Sequence, residues 1–333
     1  MGISYVLTEQ INKAVKDSDI TFIIRTLLAA GFDVNHPLAY TAEVDGKEVA
    51  EEITLLELSG FYNNIMVAKF LIEHGADVNK VNKDGEPPLM QARTAEMTQL
   101  LINYGADVHP KNKYNTTLLH LVQSVEIAQV LINNGVDVNA KDGLYGHTPL
   151  HRVQNAEMAK LLIDNGADVN AKDGNDETPL YLAQSAEIAQ VLIDNGADVN
   201  AKAEGVFGDL LRMGDTTEGI GTTPLHRVKS AEIAQILIKN GADVNAKDMI
   251  CQTPLHKAQT FEIAQVLIEH GTDVNAKDRM SITPLHLVKS AKIAQLLIDS
   301  GADINAKDEL ARTPLRTAKT AEIAEVLRNH GAQ

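Results

Sequence analysis

Apolar residues recur along the chain in short stripes with helical spacing, and polar, turn-forming residues separate these stripes. Within residues 185–196, the apolar positions are Ile188, Ala189, Val191, Leu192 and Ile193. Residues three and four positions apart share one face of a helix, so this stripe predicts an amphipathic α-helix with one buried side. Ser185 precedes the stripe and Gly196 follows it, and these residue types favour the beginning and the end of a helix.

The same stripe and its flanking residues return throughout the chain. A phrase that begins Thr-Pro-Leu-His starts at Thr148, Thr223, Thr253 and Thr283, and threonine before proline is typical of a helix start. A unit of this size is too small to bury its own apolar face, so the pattern predicts a stack of units. The closing glycines lie 30 or 31 residues apart, except for two intervals of 44 and 45 residues: Gly31, Gly75, Gly105, Gly135, Gly166, Gly196, Gly241, Gly271, Gly301 and Gly331.

One unit shows the complete pattern. It contains Thr-Pro-Leu-His at residues 148–151, an apolar helix, and then Gly-Ala-Asp-Val-Asn-Ala-Lys-Asp at residues 166–173. This text resembles the ankyrin repeat, and the resemblance covers nearly the whole chain. It implies an all-α fold, an ankyrin-repeat solenoid of helix-turn-helix units with hairpin-like loops. We therefore expect residues 1–333 to form a single array of about ten units.

Most units are shorter than the second one. From the start of the first helix to the closing glycine, the second unit has 22 residues, Thr54 to Gly75, whereas the unit from Thr148 to Gly166 has 19. The three missing residues are almost one helical turn. We expect units 3 to 10 to have lost them from the end of the first helix and from the turn that follows.

Two insertions interrupt the regular spacing, at residues 36–53 and 203–222. In the first, Asp45-Gly46 lies between apolar and polar residues that alternate, which predicts a β-hairpin with Asp-Gly at its turn. The second contains Phe207, Leu210, Leu211 and Met213, which are spaced for a short amphipathic helix. This helix either docks back on the stack or contacts a partner, because insertions in repeat proteins often lie on the binding face.

Charge is distributed unevenly. The net charge is −15, but residues 223–333 hold 14 Lys and Arg against 13 Asp and Glu, and residues 1–222 hold 16 against 32. An acidic surface repels phosphate backbones, so nucleic-acid binding is disfavoured, although less so for the C-terminal third. No apolar run approaches 18 residues, which argues against a membrane span.

The sequence does not indicate catalysis. Cys251 is the single cysteine, which excludes an internal disulfide and suits the cytoplasm, or the host cytoplasm if the protein is exported. No zinc spacing, phosphate loop or nucleophile motif stands outside the repeat, so we expect no enzyme, metal or cofactor. In ankyrin repeats the histidine of the recurring phrase hydrogen-bonds within and between turns. We therefore interpret the periodic histidines as structural: His120, His151, His226, His256 and His286.

Residues that differ between units are the better candidates for binding. At the loop tips these are Leu144, Tyr145, Met249, Ile250, Arg279 and Met280, whose residue types are enriched at protein interfaces. The alternative is that neighbouring tips pack on each other along the stack.

A second candidate surface is the expected concave side, along the first helices. Its candidate residues are Arg152, Tyr181, Arg227, Lys229, Lys257 and Lys289. The basic ones follow the Pro-Leu core positions and form a basic line suited to an acidic partner peptide. The alternative is that their long stems cover apolar surface and pair with carboxylates of the next unit.

These features together predict a monomeric, non-catalytic scaffold that binds a partner protein through its loop tips and concave face. A host-directed adaptor or inhibitor is the specific form that we consider. The alternative function is anion or nucleic-acid binding through the basic line of the C-terminal units. Steep salt dependence of binding to RNA or DNA would favour that alternative.

Overall fold

The computed structural model describes residues 31–44, 47–204 and 220–333. The chain divides into two compact units, Met1–Leu144 and Tyr145–Gln333, which are described separately. In both units a short helix alternates with a longer one, and a loop connects each pair to the next. The all-α helix-turn-helix expectation is confirmed, while the single array of about ten units stays a prediction.

The first unit begins its described part with a β-hairpin. Strands β1 (Leu38–Val44) and β2 (Lys47–Ile53) pair antiparallel, with Leu38 opposite Ile53 and Val44 opposite Lys47. The hairpin predicted in the first insertion is therefore present, although Asp45 and Gly46 lie outside the described residues. The short helices that follow are Leu55–Phe61, Pro88–Gln91 and Leu118–Leu121, and the long helices are Ile65–Glu73, Ala95–Asn103 and Val125–Asn133.

The second unit repeats the same pair of elements. Its short helices are Pro149–Arg152 and Pro224–Arg227, both 3₁₀, together with Pro254–Lys257, Pro284–Leu287 and Pro314–Thr317. Residues 179–182 form turns where one further short helix would lie. The long helices are Ala156–Asp164, Ala186–Asp194, Ala231–Lys239, Phe261–Glu269, Ala291–Asp299 and Ala321–Asn329. In the second insertion Phe207, Leu210, Leu211 and Met213 lie outside the described residues.

Each long helix is bounded by side chains that satisfy its end groups. At the start, the Ser185 hydroxyl accepts a hydrogen bond from the Ile188 amide at 3.3 Å, which is the expected N-cap geometry. At the end, the side-chain Nδ2 of Asn195 donates to the Val191 carbonyl at 2.8 Å, and Gly196 adopts a positive φ of 91°. Glycine reaches this conformation without the steric cost of a Cβ, as the sequence predicted.

The long helices bury the same three positions, except that Ala324 of the last helix is half-buried. In the helix Ala186–Asp194, Ile188 and Ala189 are fully buried and so is Leu192 one turn later. The alanine has no exposed surface in most of the long helices, and its small side chain allows neighbouring helices to approach closely. Within each compact unit, layers of isoleucine, alanine and leucine therefore form a core that continues from one repeat to the next.

The short helices account for the shortened repeat. Leu55–Phe61 has seven residues, whereas the short helices that follow have four. The connection to the long helix is three residues in both cases, 62–64 in the second repeat and 153–155 in a shortened one. All three missing residues therefore come from the short helix, and the prediction that part of the loss falls in the turn is wrong.

An asparagine links neighbouring repeats in most of the connecting loops, and His109 replaces it in one. The Asn275 side chain donates from Nδ2 to the Gly301 carbonyl at 3.0 Å, and its Oδ1 accepts from the Asp303 amide at 2.7 Å. Such an amide satisfies one donor and one acceptor of the next loop at once. The same paired contacts are made by Asn35, Asn79, Asn170, Asn200 and Asn245.

This asparagine link crosses both insertions. Asn200 reaches Gly241 and Asp243, which are 41 and 43 residues away, whereas Asn170 reaches Gly196 and Asp198 over 26 and 28 residues. Asn35 makes the equivalent contacts to Gly75 and Asp77. The inserted residues therefore leave the contact between adjacent repeats unchanged.

Replacing Asn275 by alanine should destabilise the protein by roughly 1–2 kcal/mol, because two hydrogen bonds between repeats are lost and each contributes about 0.5–1.5 kcal/mol. Urea unfolding followed by circular dichroism measures the change. Asn329→Ala is the control, since this exposed asparagine lies at the end of the last helix. Equal effects of the two substitutions would contradict a linking role for Asn275.

Candidate protein-binding surface

The histidines of the recurring phrase connect each short helix to the next repeat. His151 Nδ1 accepts from the Thr148 amide at 3.1 Å, and its Nε2 lies 3.0 Å from the Glu177 carbonyl oxygen. Because a carbonyl oxygen only accepts, Nε2 must carry a proton. Nδ1 accepts a hydrogen bond and therefore carries none, so the ring is neutral. The equivalent rings of His226, His256 and His286 make the same pair of contacts.

Burial favours the neutral form of two of these rings, those of His226 and His256. Burial lowers the pKa of His226 and His256 below the ordinary 6.5, although the hydrogen bonds to the Gln252 and Ile282 carbonyls oppose the shift. The interpretation of these histidines as structural agrees with this geometry. Among the described residues, no group of three or more histidine, cysteine or acidic side chains is placed to hold a metal ion.

Glu57 occupies the histidine position in the second repeat. Its side chain is 1% exposed, and Oε2 accepts from the Thr54 amide at 2.8 Å while Oε1 is buried without a hydrogen-bond partner. Burial raises the pKa of Glu57 above 4.5, against the hydrogen bonds from Thr54, and the nearby Glu86 raises it further. A buried carboxylate with an unsatisfied oxygen is costly in its charged form.

We expect Glu57→Gln to stabilise the protein at neutral pH by about 1–3 kcal/mol, since the neutral amide avoids burying a charge and keeps the acceptor for Thr54. A raised folded-state pKa stabilises the wild type below about 4.5, and this contribution is lost as the pH rises through the folded-state value. The advantage of the variant should therefore shrink towards acidic pH. Urea midpoints from pH 4 to pH 8 measure it.

The matched control for that substitution is Glu96→Gln, which removes a carboxylate from an exposed position on Ala95–Asn103, the long helix of the following repeat. If Glu57→Gln destabilises the protein at every pH, the ionised carboxylate is favourable in the fold and this account of Glu57 is wrong.

An aspartate shapes most loop tips of the second unit, and Asp248 and Asp308 are buried while Asp278 is half-buried. Oδ1 of Asp248 accepts from the amides of Ile250 and Gln252 at 3.0 and 2.8 Å. Asp278 and Asp308 hold their tips in the same way. These carboxylates lock the turn in one conformation, so the residues between them and the next helix are presented rigidly.

Neighbouring tips are also joined to each other. The Arg279 amide donates to the Ile250 carbonyl at 2.9 Å, and the Glu309 amide donates to the Met280 carbonyl at 3.0 Å. The residue that supplies the carbonyl is apolar or aromatic in most repeats, as with Tyr145, Ile250 and Met280. The tips therefore contact one another through their backbones.

The exposure of the tip residues is uneven. The side chains of Met249 and Met280 are 43% and 47% exposed, Tyr145 is 51% exposed, and Ile250 is half-buried. Leu144, which ends the first unit, is 57% exposed, and Arg279 is exposed as well. Leu310, at the position that matches Met280, is 64% exposed.

The residues predicted on the concave side divide into three groups. Arg227, Lys229 and Lys289 are exposed, and Arg152 is half-buried. Tyr181 is only 6% exposed, because it takes the histidine position and its hydroxyl lies 2.6 Å from the Thr222 hydroxyl. Tyr181 is therefore a structural residue, and its selection as an exposed partner contact is corrected.

Lys257 also has a structural contact. Its ammonium lies 3.3 Å from Oδ2 of the buried Asp248, and the Lys257 side chain is 23% exposed. Asp248 needs this positive charge because its own carboxylate is fully buried. The alternative that a basic side chain pairs with a nearby carboxylate thus holds for Lys257. Among the basic candidates, Lys257 is therefore the least suited to contact a partner.

An aromatic column lies at the tip that begins the second unit. The ring of Tyr145 stacks on His147 with centroids 5.2 Å apart, and His147 stacks on His151 at 5.4 Å. His147 Nε2 lies 3.1 Å from Oδ2 of Asp173. Burial would raise the pKa of Asp173, but the hydrogen bonds from His147 and from two backbone amides outweigh it and hold the pKa below its usual value.

Comparison with family models identifies the repeat. A model of three ankyrin repeats matches residues 55–142, 122–203 and 209–278, and a single ankyrin repeat matches residues 281–309. These matches cover well over half of the sequence. The chain belongs to the ankyrin-repeat family. Comparison with curated proteins found none that matches it.

Membership of the ankyrin-repeat family has a general functional meaning. Ankyrin repeats generally mediate protein–protein interaction, and proteins built from them are typically non-catalytic scaffolds. Within the described parts of this ankyrin chain, every helix falls short of the length and apolarity that crossing a bilayer requires.

Proposed function

We propose that this ankyrin-repeat chain is a non-catalytic scaffold that binds another protein through its loop tips and the exposed side of its short helices. The observation that carries the proposal is the exposure of Met249, Met280 and Leu310 on consecutive tips. Large apolar side chains on a rigid surface are typical of interaction sites and are otherwise unfavourable in water.

The rigidity of the tips supports the same proposal. An aspartate side chain and a backbone hydrogen bond hold the tips that carry Met249, Met280 and Leu310, so binding costs little conformational entropy. Variable side chains on a uniform frame also suit recognition of one specific partner. Our proposal includes a monomeric protein in the cytoplasm, with a host-directed adaptor or inhibitor role as its most specific form.

We expect the combined substitution Met249→Ala, Met280→Ala and Leu310→Ala to weaken capture of the partner by about tenfold or more, since losing each buried apolar anchor costs roughly 1 kcal/mol or more. The measurement is affinity capture from lysate of the source or host cells, with the captured protein quantified by mass spectrometry. The fold should be preserved, because the three side chains are exposed.

The matched control is Gln235→Ala, Lys292→Ala and Glu325→Ala, three exposed positions on the long helices with no change in net charge. A protein that the tip variant and the control variant capture with the same efficiency as the wild type does not bind the loop tips. If no protein depends on the tips, the proposed function is wrong.

A further inference from the structure

The short helices of the last four repeats carry charge of one sign. Residues 223–229, 253–259, 283–289 and 313–319 contain Arg227, Lys229, Lys257, Lys289, Arg316 and Lys319. These segments contain no aspartate or glutamate, although residues 223–333 hold nearly equal numbers of acidic and basic residues. The acidic residues of this region lie instead on the long helices and in the loops.

Four of these cations have no charged partner among the described residues. Lys229, Lys289, Arg316 and Lys319 are exposed, and none of them forms an ion pair with the part of the chain that the structure describes. We call these four residues the basic strip. Lys229, Lys289 and Lys319 occupy the same position in three repeats, three residues after the histidine position.

The carboxylates of the nearby loop tips are already engaged. Asp248 faces Lys257, Oδ2 of Asp278 accepts from the side-chain Nε2 of Gln252 at 3.2 Å, and Oδ2 of Asp308 accepts from Arg312 Nε at 2.7 Å. Each of them also holds its own turn through backbone amides. The basic strip therefore keeps a positive charge that the local fold does not neutralise.

We infer that the basic strip binds an extended acidic segment of a partner protein. The inference rests on the proposed function and names the class of partner. Neighbouring helices pack about 8–10 Å apart, so Lys289 and Lys319 on adjacent short helices lie at about that distance, while Lys229 lies about two such spacings from Lys289 because residues 253–259 contribute no member of the strip. An extended polyproline-type segment rises about 3.1 Å per residue, which places every third side chain roughly 9 Å apart. Acidic residues at every third position would match the strip.

An acidic polypeptide suits this surface better than a nucleic acid. Binding to single-stranded nucleic acid uses aromatic side chains on which bases stack, and residues 223–333 contain one aromatic residue, the half-buried Phe261. The loop tips of the same repeats instead present Met280 and Leu310, which suit apolar side chains of a polypeptide. The net charge of −15 also disfavours a phosphate backbone.

The test uses the full chain and a fluorescein-labelled peptide of five Glu-Ser-Pro triplets, with binding measured by fluorescence anisotropy at low salt. A Gln-Ser-Pro peptide and a 15-nucleotide single-stranded DNA are the comparison probes. The Glu-Ser-Pro peptide should bind at least about tenfold more tightly than either probe, and its binding should weaken with added salt. Tighter binding of the DNA, or no binding of the acidic peptide, overturns the inference.

Charge reversal locates the binding. Lys229→Glu, Lys289→Glu and Lys319→Glu together should weaken peptide binding by about tenfold or more, because an attraction becomes a repulsion at three positions. The control is Lys239→Glu, Lys292→Glu and Arg328→Glu, which makes the same charge change on the exposed sides of the long helices in the same three repeats. The control should weaken peptide binding by less than about threefold, because it changes only the long-range electrostatic attraction. Equal loss in both variants overturns the inference.

Circular dichroism confirms that both variants are folded before binding is compared. Failure of this experiment is distinct from failure of the proposed function. If the peptide does not bind but capture from lysate still depends on the loop tips, only the basic strip is excluded. If capture does not depend on the tips, the proposed function is excluded even when the peptide binds.

Discussion

Hydrogen bonds from the side chains of one repeat to the backbone of the next are the interaction on which the structure depends. Asn275 bonds to the backbone of Gly301 and Asp303, and His256 bonds to the carbonyl of Ile282. Each repeat is too small to be stable alone, so these contacts and the shared apolar layers must fix its orientation. The groups that accept from the histidines are backbone carbonyls, so the side chains at those positions are free to vary.

That freedom explains how a uniform frame carries a variable surface. The carbonyls that accept from the histidines belong to Glu177, Gln252, Ile282 and Arg312, whose side chains are acidic, polar and neutral, apolar, and basic. A single-turn helix is also unstable in isolation, because it makes too few internal hydrogen bonds to offset its ordering. The threonine, proline and histidine of the recurring phrase stabilise this short helix, so the repeat does not need the three further residues that the helix Leu55–Phe61 has.

Much of this frame was predictable from the sequence, because repetition identifies it. The capping residues, the left-handed glycines and the apolar stripe recur in register, and each has a local physical reason. Tyr181 and Lys257 were misjudged because their contacts are not local: Tyr181 meets Thr222 across the second insertion, and Lys257 turns back to a buried carboxylate of its own loop. The aspartates that hold the tips were not selected from the sequence. A signal for them was present: Asn82 and Asn112 replace aspartate at this position, and both residue types have a short side chain whose oxygen accepts hydrogen bonds from the backbone of a turn.

The asparagine link across the second insertion has an evolutionary consequence. Asn200 makes the same two contacts as Asn170 even though its partners lie some 15 residues further along the chain, at 41 and 43 rather than 26 and 28. Added sequence at that loop enlarges the molecule without altering the order in which its repeats stack. New segments can therefore be gained, lost or exchanged at such loops by small genetic steps, while selection on the frame stays unchanged.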